Sequence, residues 1–593
     1  MCVWCGVFAR AERASYSSFR TEYTSRIMLP TGDELAAQRT APLLNSQQQT
    51  ISNGNGAQYS FSSNGSGAQH SFSSGSGSSS YDPNQMPPTM QPDEGNEPPS
   101  AQQMLRCVAV VSIVTLGTSF QFGFGTASLN NLEHLMNSDD SLLGSKHPLT
   151  LALWSLIVAG FGVGGLLSSC VVSHVMFLLS RRAALFTCSF LALVSFALLL
   201  LGKSWFALFA GRVLIGMVAG LGTAVVPLYF QELAPEHWRA TFLTAHQLGI
   251  GLGCVAALSL TTPAVLGTSA LWRLTYLAPL AGALVQACVL PFLPESPHYV
   301  YQTFGSSEAL NCLYLLESRG SALSKLATMR GEAAEAAHSH HPGGGGGLAP
   351  LTLSELLSSQ VLRRQLAIGT ALLLSMQLCG IDALLFYSTR VLSSSGCSSP
   401  EAASTLLGVA YLLGTPLSML CAGRFGRKPL LLAAWAGISL CYAVSTACLL
   451  CLRPRSDEVG GDGAAAFGDD AAGIGNALGL THNQLQTAAV GALAGVIGFF
   501  SIGPGSAGWF VVAEIFPSHA RDAAMTLGVS LNWVGNIAVA ITFPALHAGM
   551  GPYVFGLFAV VSFGFGLLTH RYLPETKGRS IDDVTNVIEA AQW

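Results

Sequence analysis

From Met376 to Ser388 the chain reads Met-Gln-Leu-Cys-Gly-Ile-Asp-Ala-Leu-Leu-Phe-Tyr-Ser, and Gln377, Asp382, Tyr387 and Ser388 carry polar atoms able to bind a solute. This stretch continues a run, 365–381, that contains no charged residue and is long enough to cross a bilayer. A carboxylate near the centre of a spanning helix costs about 2.5–3.5 kcal/mol on insertion scales. Such residues face a bundle interior or a water-filled path and are functional candidates by default. The chemistry on offer is recognition of a polar solute inside a membrane, and the rest of the chain must build the cavity around it.

Composition supports that setting. Half of the 593 residues are hydrophobic and only 10% are charged, against about 25% charged in a soluble domain. Much of the surface is therefore expected to meet the lipid bilayer. A net charge of −4 gives nucleic-acid binding no electrostatic support. The 14 cysteines are scattered, mostly in apolar runs, as expected of small hydrophobes. Cys2 and Cys5 form a CxxC with no second pair, so neither a redox site nor a metal site is read there. No side chains form a hydrolytic or redox constellation, so the protein is not expected to be an enzyme, and neither a cofactor nor a metal is expected.

Apolar runs of about 20 residues predict spanning helices at 105–127, 151–179, 183–202, 205–231, 244–265 and 271–293. Six more follow at 363–391, 401–422, 429–452, 484–510, 521–548 and 551–573. The fold class is all-α: twelve transmembrane helices in two six-helix halves, with a helical loop between them. The expected segments are a disordered tail over 1–100, a first half over 101–297, a linker over 298–362, a second half over 363–573 and a short tail over 574–593. The tail is rich in Ser, Gly, Asn, Gln and Pro, a composition that cannot bury enough apolar area to order itself. The first apolar span starts too late for a secretory signal peptide. In the linker, helices are expected at 306–317 and 352–362, separated by His338, His340, His341 and five glycines. That Gly run lacks the Lys-Ser/Thr of a phosphate loop and reads as a flexible connection. The outer loop 454–483 reads as solvated.

Arg and Lys cluster after the even-numbered spans and at both ends of the linker, as at Arg181, Arg182, Arg239, Arg319, Lys325, Arg363, Arg364, Arg424, Arg427, Lys428, Arg521, Arg571, Lys577 and Arg579. Opposite loops hold only Lys146, Lys203, Arg273, Arg390, Arg453 and Arg455. The positive-inside rule then places both termini in the cytoplasm. The halves also echo one another. Arg181 and Arg182 follow the second span, and Arg424, Arg427 and Lys428 follow the eighth. Glu232 with Arg239, and Glu514 with Arg521, bracket corresponding later loops. A duplicated six-helix unit is the mark of a transporter with its substrate at the interface. The charges are expected to pair across that interface as a cytoplasmic latch that holds in one state and breaks in the other.

Further motifs lie along both halves: Gly211-Arg212-Val213, Pro227-Leu228-Tyr229 through Glu232, Gln247-Leu248-Gly249 and Pro294-Glu295-Ser296-Pro297 in the first. Gln377-Leu378-Cys379-Gly380-Ile381, Gly503-Pro504-Gly505, Trp509, Asn532-Trp533 and Pro574-Glu575-Thr576-Lys577-Gly578-Arg579 occupy the second. In this order and spacing the chain resembles the major facilitator sugar transporters, most of all the facilitative hexose (glucose) transporter family. The resemblance covers nearly all of 105–580. It implies the major facilitator fold and hexose transport by facilitated diffusion through alternating access. It also implies that Gln247, Gln377, Trp509 and Asn532 contact a sugar, together with Asp382 on the same wall. Amides offer donors and acceptors to hydroxyls, and an indole offers an apolar face and a polar edge. A few bonds of about 0.5–1.5 kcal/mol suffice for a millimolar site, which needs only about −4 kcal/mol. Gly503, Pro504 and Gly505 read as a hinge, because Pro interrupts helical bonding. A multi-pass protein of this kind defaults to the plasma membrane.

The chain also departs from the family pattern. Met376, Asp382, Tyr411, Ser501 and Gly423 stand where the resemblance implies a glutamine, two asparagines and two acids. The resemblance implies an acid in the first span of proton-coupled relatives; here that span has Gln121 and no acid, which favours facilitated diffusion. Asp382, a buried acid, can be protonated and act as an amide-like donor, and it leaves two alternatives open: proton-coupled symport of a sugar, polyol or other small solute, or a cationic or amino-bearing cargo. A non-transporting nutrient sensor acting through the long tail is the third reading.

Overall fold

The computed structural model describes residues 100–138, 149–235, 238–338, 353–452, 481–579 and 581–590. The N-terminal tail, the glycine run, most of the outer loop 454–483, and His340 and His341 lie outside these residues. Residues 95–593 form one compact unit. Its described residues are helical, with no strand among them.

Among the described residues, twelve helices are long and apolar enough to span a membrane. In the first half these are α1 (Ala101–Ala127), α2 (Leu151–Leu178), α3 (Arg181–Leu201), α4 (Trp205–Leu233), α5 (Arg239–Leu260) and α6 (Trp272–Phe292). In the second half they are α7 (Gln360–Ser394), α8 (Pro400–Arg424), α9 (Arg427–Cys451), α10 (His482–Ile502 continued by Pro504–Ile515), α11 (Ser518–Met550) and α12 (Tyr553–Tyr572). Each overlaps the span read from the sequence. The ends are set by side chains that satisfy the free N–H groups of a first turn. Ser180, Ser204 and Ser359 cap α3, α4 and α7, and Ser100 and Thr481 form capping boxes with Gln103 and Gln484.

Small residues let the helices approach closely. A Cβ on Gly216 or Gly220 of α4 would collide with the α2 backbone at Phe161 or Gly165. The halves meet where α2 packs on α11 and α5 packs on α8. A Cβ on Gly165 would enter the Trp533 ring of α11, so that seam also depends on a missing side chain. Trp154 is buried in the bundle, while Trp238 is exposed.

Two spanning helices break. Gly380 adopts φ 81°, a left-handed conformation that favours glycine, and α7 restarts at Ile381. Gly503 separates the two pieces of α10, as the Gly-Pro-Gly motif predicted. The linker holds more helix than expected: Pro297–Phe304, Ser306–Tyr314, Arg319–His338 and Leu353–Ser358. Arg319–His338 has little apolar periodicity, so the sequence pattern does not reveal it. It is held by Lys325, whose Nζ donates to the carbonyls of Glu232 and Ala234 and lies 2.9 Å from Glu317.

Candidate substrate cavity

A cavity of about 980 Å³ lies between the halves, lined by α1, α2, α4 and α5 on one side and α7 to α11 on the other. All five residues expected at the binding site, Gln247, Gln377, Asp382, Trp509 and Asn532, line it. The break at Gly380 lets Gln377 and Asp382 share one wall, because the second piece of α7 starts on a new helical phase. Interrupted helices are how transporters present polar groups at mid-membrane.

The polar groups are held by one another. Asn532 Nδ2 donates to the Leu373 carbonyl at 2.7 Å, and its Oδ1 accepts from Gln377 Nε2 at 3.3 Å. Asn536 Nδ2 donates to Asp382 Oδ2 at 2.5 Å. Across the cavity, the Tyr411 hydroxyl donates to Gln247 Oε1 at 3.5 Å. Trp533 lines the cavity and packs against Phe122 and Phe161, with ring centroids 6.0 and 5.8 Å away. Sequence reasoning missed Asn536. The available signal was its spacing, four residues after Asn532 and so on the same helix face. Of the substituted positions, Met376 and Tyr411 line the cavity. The Ser501 hydroxyl bonds back to the Ile497 carbonyl.

The two ends of the cavity differ. Toward the side that holds the linker it extends to Arg239, Arg427 and Lys577. At the opposite end a cross-half network closes it. Asn130 Nδ2 donates to the Leu385 carbonyl and to Ser388 Oγ at 2.9 and 2.7 Å. The Thr389 N–H donates to Asn130 Oδ1 at 3.0 Å, and its hydroxyl donates to Asn131 Oδ1 at 2.5 Å. Arg390 pairs with Glu133 at 2.7 Å. Burial holds the Glu133 carboxyl above the usual range, against the pull of Arg390. This outer tie was not expected from the sequence, where Asn130, Asn131 and Glu133 carry no motif.

With the cavity open on the linker side, the charges expected to latch that side pair within each half. Arg181 grips Glu232 with two nitrogens at 3.2 and 3.0 Å, and both belong to the first half. Arg427 pairs with Glu514 at 2.9 Å inside the second half. Arg182 binds the Pro291 and Leu293 carbonyls, and Arg521 the Phe516 carbonyl. Arg424 and Arg239 are exposed, with Arg239 at the cavity mouth. These bonds tie helices within one half, because on this side the open cavity separates the halves. Glu295 and Glu575 take equivalent places. Glu295 accepts from the Arg182 N–H at the start of α3, and Glu575 accepts from the Arg427 and Lys428 N–H groups at the start of α9. Partial burial pushes the Glu575 carboxyl up, but four backbone N–H donors outweigh it and hold it below the usual range.

This geometry, two repeated halves around a polar cavity sealed at one end, matches known proteins. A model of the family described as "Sugar (and other) transporter" matches residues 110–588. The chain belongs to this family. It is 32% identical over 507 residues to the human solute carrier family 2 facilitated glucose transporter member 4, covering 83% of this chain and 92% of that protein. Human member 3 is 30% identical over 493 residues, covering 81% and 92%. The fold is that of the major facilitator superfamily. The proton:xylose symporter XylE bound to 6-bromo-6-deoxy-D-glucose superposes with TM-score 0.62 at 20% identity, covering 82% of this chain and 99% of that one. The inward-open form of XylE from E. coli gives TM-score 0.61, also at 20% identity, covering 81% and 99%. The chain is thus a multi-pass membrane protein of a sugar-transporter family.

Proposed function

We propose that this protein carries a hexose down its concentration gradient by alternating access. The observation that supports this most is the cavity itself: Gln247 from one half faces Gln377, Trp509 and Asn532 from the other, so a single solute can bridge both. Amide donors and acceptors suit hydroxyls, and the indoles of Trp509 and Trp533 suit the C–H faces of a pyranose. The likeness to facilitated glucose transporters supports a hexose as the cargo. Gln121 donates to the Pro279 carbonyl inside the first half. It is not an ionisable group, which supports uncoupled movement.

The cation bias of the even loops supports cytoplasmic termini, with the plasma membrane as the host. The cavity then opens to the cytoplasm and is shut outside by Asn130, Asn131 and Glu133. To face outward, the protein must break that tie and bring Arg239, Arg427 and their neighbours together, with Gly503-Pro504-Gly505 absorbing the bend in α10. Proton-coupled symport is the second reading, favoured by one observation: a carboxyl group, Asp382, lines the cavity.

The test is glucose uptake by Gln247→Ala, Gln377→Ala and Trp509→Ala variants in proteoliposomes, with correct folding checked by elution profile. Each is expected to lose at least tenfold in uptake efficiency. Unchanged uptake in all three would overturn the assignment.

A further inference from the structure

The ion pair that joins the halves at the sealed end is unequal. Arg390 is partly exposed, whereas Glu133 is buried. Only one Glu133 oxygen is used. Oε1 accepts from Arg390 Nη1, while Oε2 is buried and accepts no hydrogen bond from the described residues. A buried carboxylate oxygen without a donor is costly. Burial therefore outweighs the pull of Arg390 and holds the carboxyl above the usual range. The other charged or titratable groups toward this end are engaged elsewhere or stand apart. The Tyr387 hydroxyl of α7 donates to the Ala540 carbonyl of α11. Arg212 of α4 is held on the Gly125 and Val158 carbonyls, over the Phe161 ring. His134 is exposed, and Glu401 lies in the first turn of α8. The Ser388, Thr389 and Ser404 hydroxyls bond to one another and do not titrate.

Glu133 and Arg390 belong to different halves, so they separate when this end opens. Separation returns Glu133 to water and its carboxyl to the ordinary range. A proton on Oε2 removes the buried charge, breaks no bond of the sealed arrangement, and leaves Oε1 to accept from Arg390. The sealed state thus holds the proton more tightly than the open one, and acid favours whichever state holds it more tightly. We propose that Glu133 is a proton-operated catch on the outer gate: external acid holds this end shut, and neutral pH lets it open. The proton binds at the seal rather than in the cavity, so it changes how often the cavity faces outward and not how far the cargo accumulates. This goes beyond the transport reading and rests on it only for which end faces outside.

The experiment measures the width of this end in the full chain, held in lipid nanodiscs. Spin labels on non-natural side chains replace the exposed Asn137 and Ser393, about one turn beyond Glu133 and Arg390. Pulsed dipolar spectroscopy then reads the distance between them. From about pH 7.5 to about pH 5 the open, long-distance fraction is expected to fall at least about threefold, with a midpoint above the ordinary glutamate value of about 4.3. Glu133→Gln carries the neutral side chain permanently, so it should stay sealed at both pH values. Arg390→Gln removes the counter-charge, and the midpoint should rise by at least about 0.5 pH unit. A distance distribution that ignores pH in the otherwise unaltered protein would overturn the proposal, and that comparison needs neither charge variant to fold. A pH response that survives in Glu133→Gln would also overturn it and point to His134 or Glu401. In proteoliposomes, acid outside should slow labelled glucose entry and leave its final level unchanged. Failure of glucose to enter at any pH would overturn the transport reading and leave the distance result standing.

Discussion

Arg390 Nη1 lies 2.7 Å from Glu133 Oε1, joining the second half to the first at the sealed end of the cavity. The partners come from the segment after α1 and from the last turns of α7, so they must separate for the cavity to open there. Glu133 is buried while Arg390 is partly exposed, so the pair joins the halves at the edge of the seal.

The pair gives the first prediction. Glu133→Arg or Arg390→Glu alone sets like charges face to face, and amide hydrogen exchange around residues 387–392 should quicken about two- to fivefold. The double swap should restore slow exchange. Single and double variants exchanging alike would show that the pair does not hold this end.

Gly380 provides the second. Its φ of 81° and the Phe558 ring, 2.6 Å from the place of a Cβ, both exclude a side chain. Gly380→Ala is expected to cost at least about 1–2 kcal/mol from backbone handedness. The clash adds to this, so thermal unfolding should occur several degrees lower and glucose uptake should fall. An unaltered melting temperature would contradict the break in α7.

A third prediction concerns pH. Glu575 caps α9, and its carboxyl is held below the ordinary range, so the folded protein favours its ionised form. Its contribution is therefore present above the ordinary glutamate pKa and is lost as pH falls through the lower, folded value. Glu575→Ala should lower stability at neutral pH by about 0.5–2 kcal/mol, the usual cost of losing a cap. In thermal melts, the gap between variant and parent should shrink below about pH 4, where the parent loses the same bonds. A constant gap across pH would contradict the capping role.

Much of this could be read in the sequence because bilayer-length apolar runs and cation bias have few competing explanations. The twelve spans came through on that basis, and the break at Gly503-Pro504 because proline interrupts helical bonding. Gln377 and Asp382 stood out as polar residues in an apolar helix, whereas Gln247, Trp509 and Asn532 were reached through the resemblance to the sugar-transporter family; all five line one cavity. What escaped depended on long-range partners. Arg181 and Glu232 could be seen as a pair of charges, but whether they join within a half or across halves depends on which end of the cavity is open. Asn130 and Asn131 look like ordinary loop residues until Thr389, some 258 positions later, is placed against them. The turn at Gly380 was hidden because glycine is common in membrane helices. The helix Arg319–His338 was missed because it lacks an apolar stripe.

The central claim is tested most directly by labelled glucose entry into proteoliposomes, with and without an inward proton gradient. The account predicts saturable entry that needs no gradient and stops when inside and outside concentrations are equal. Accumulation above the outside concentration, driven only by the proton gradient, would contradict it and make Asp382 part of a coupled mechanism.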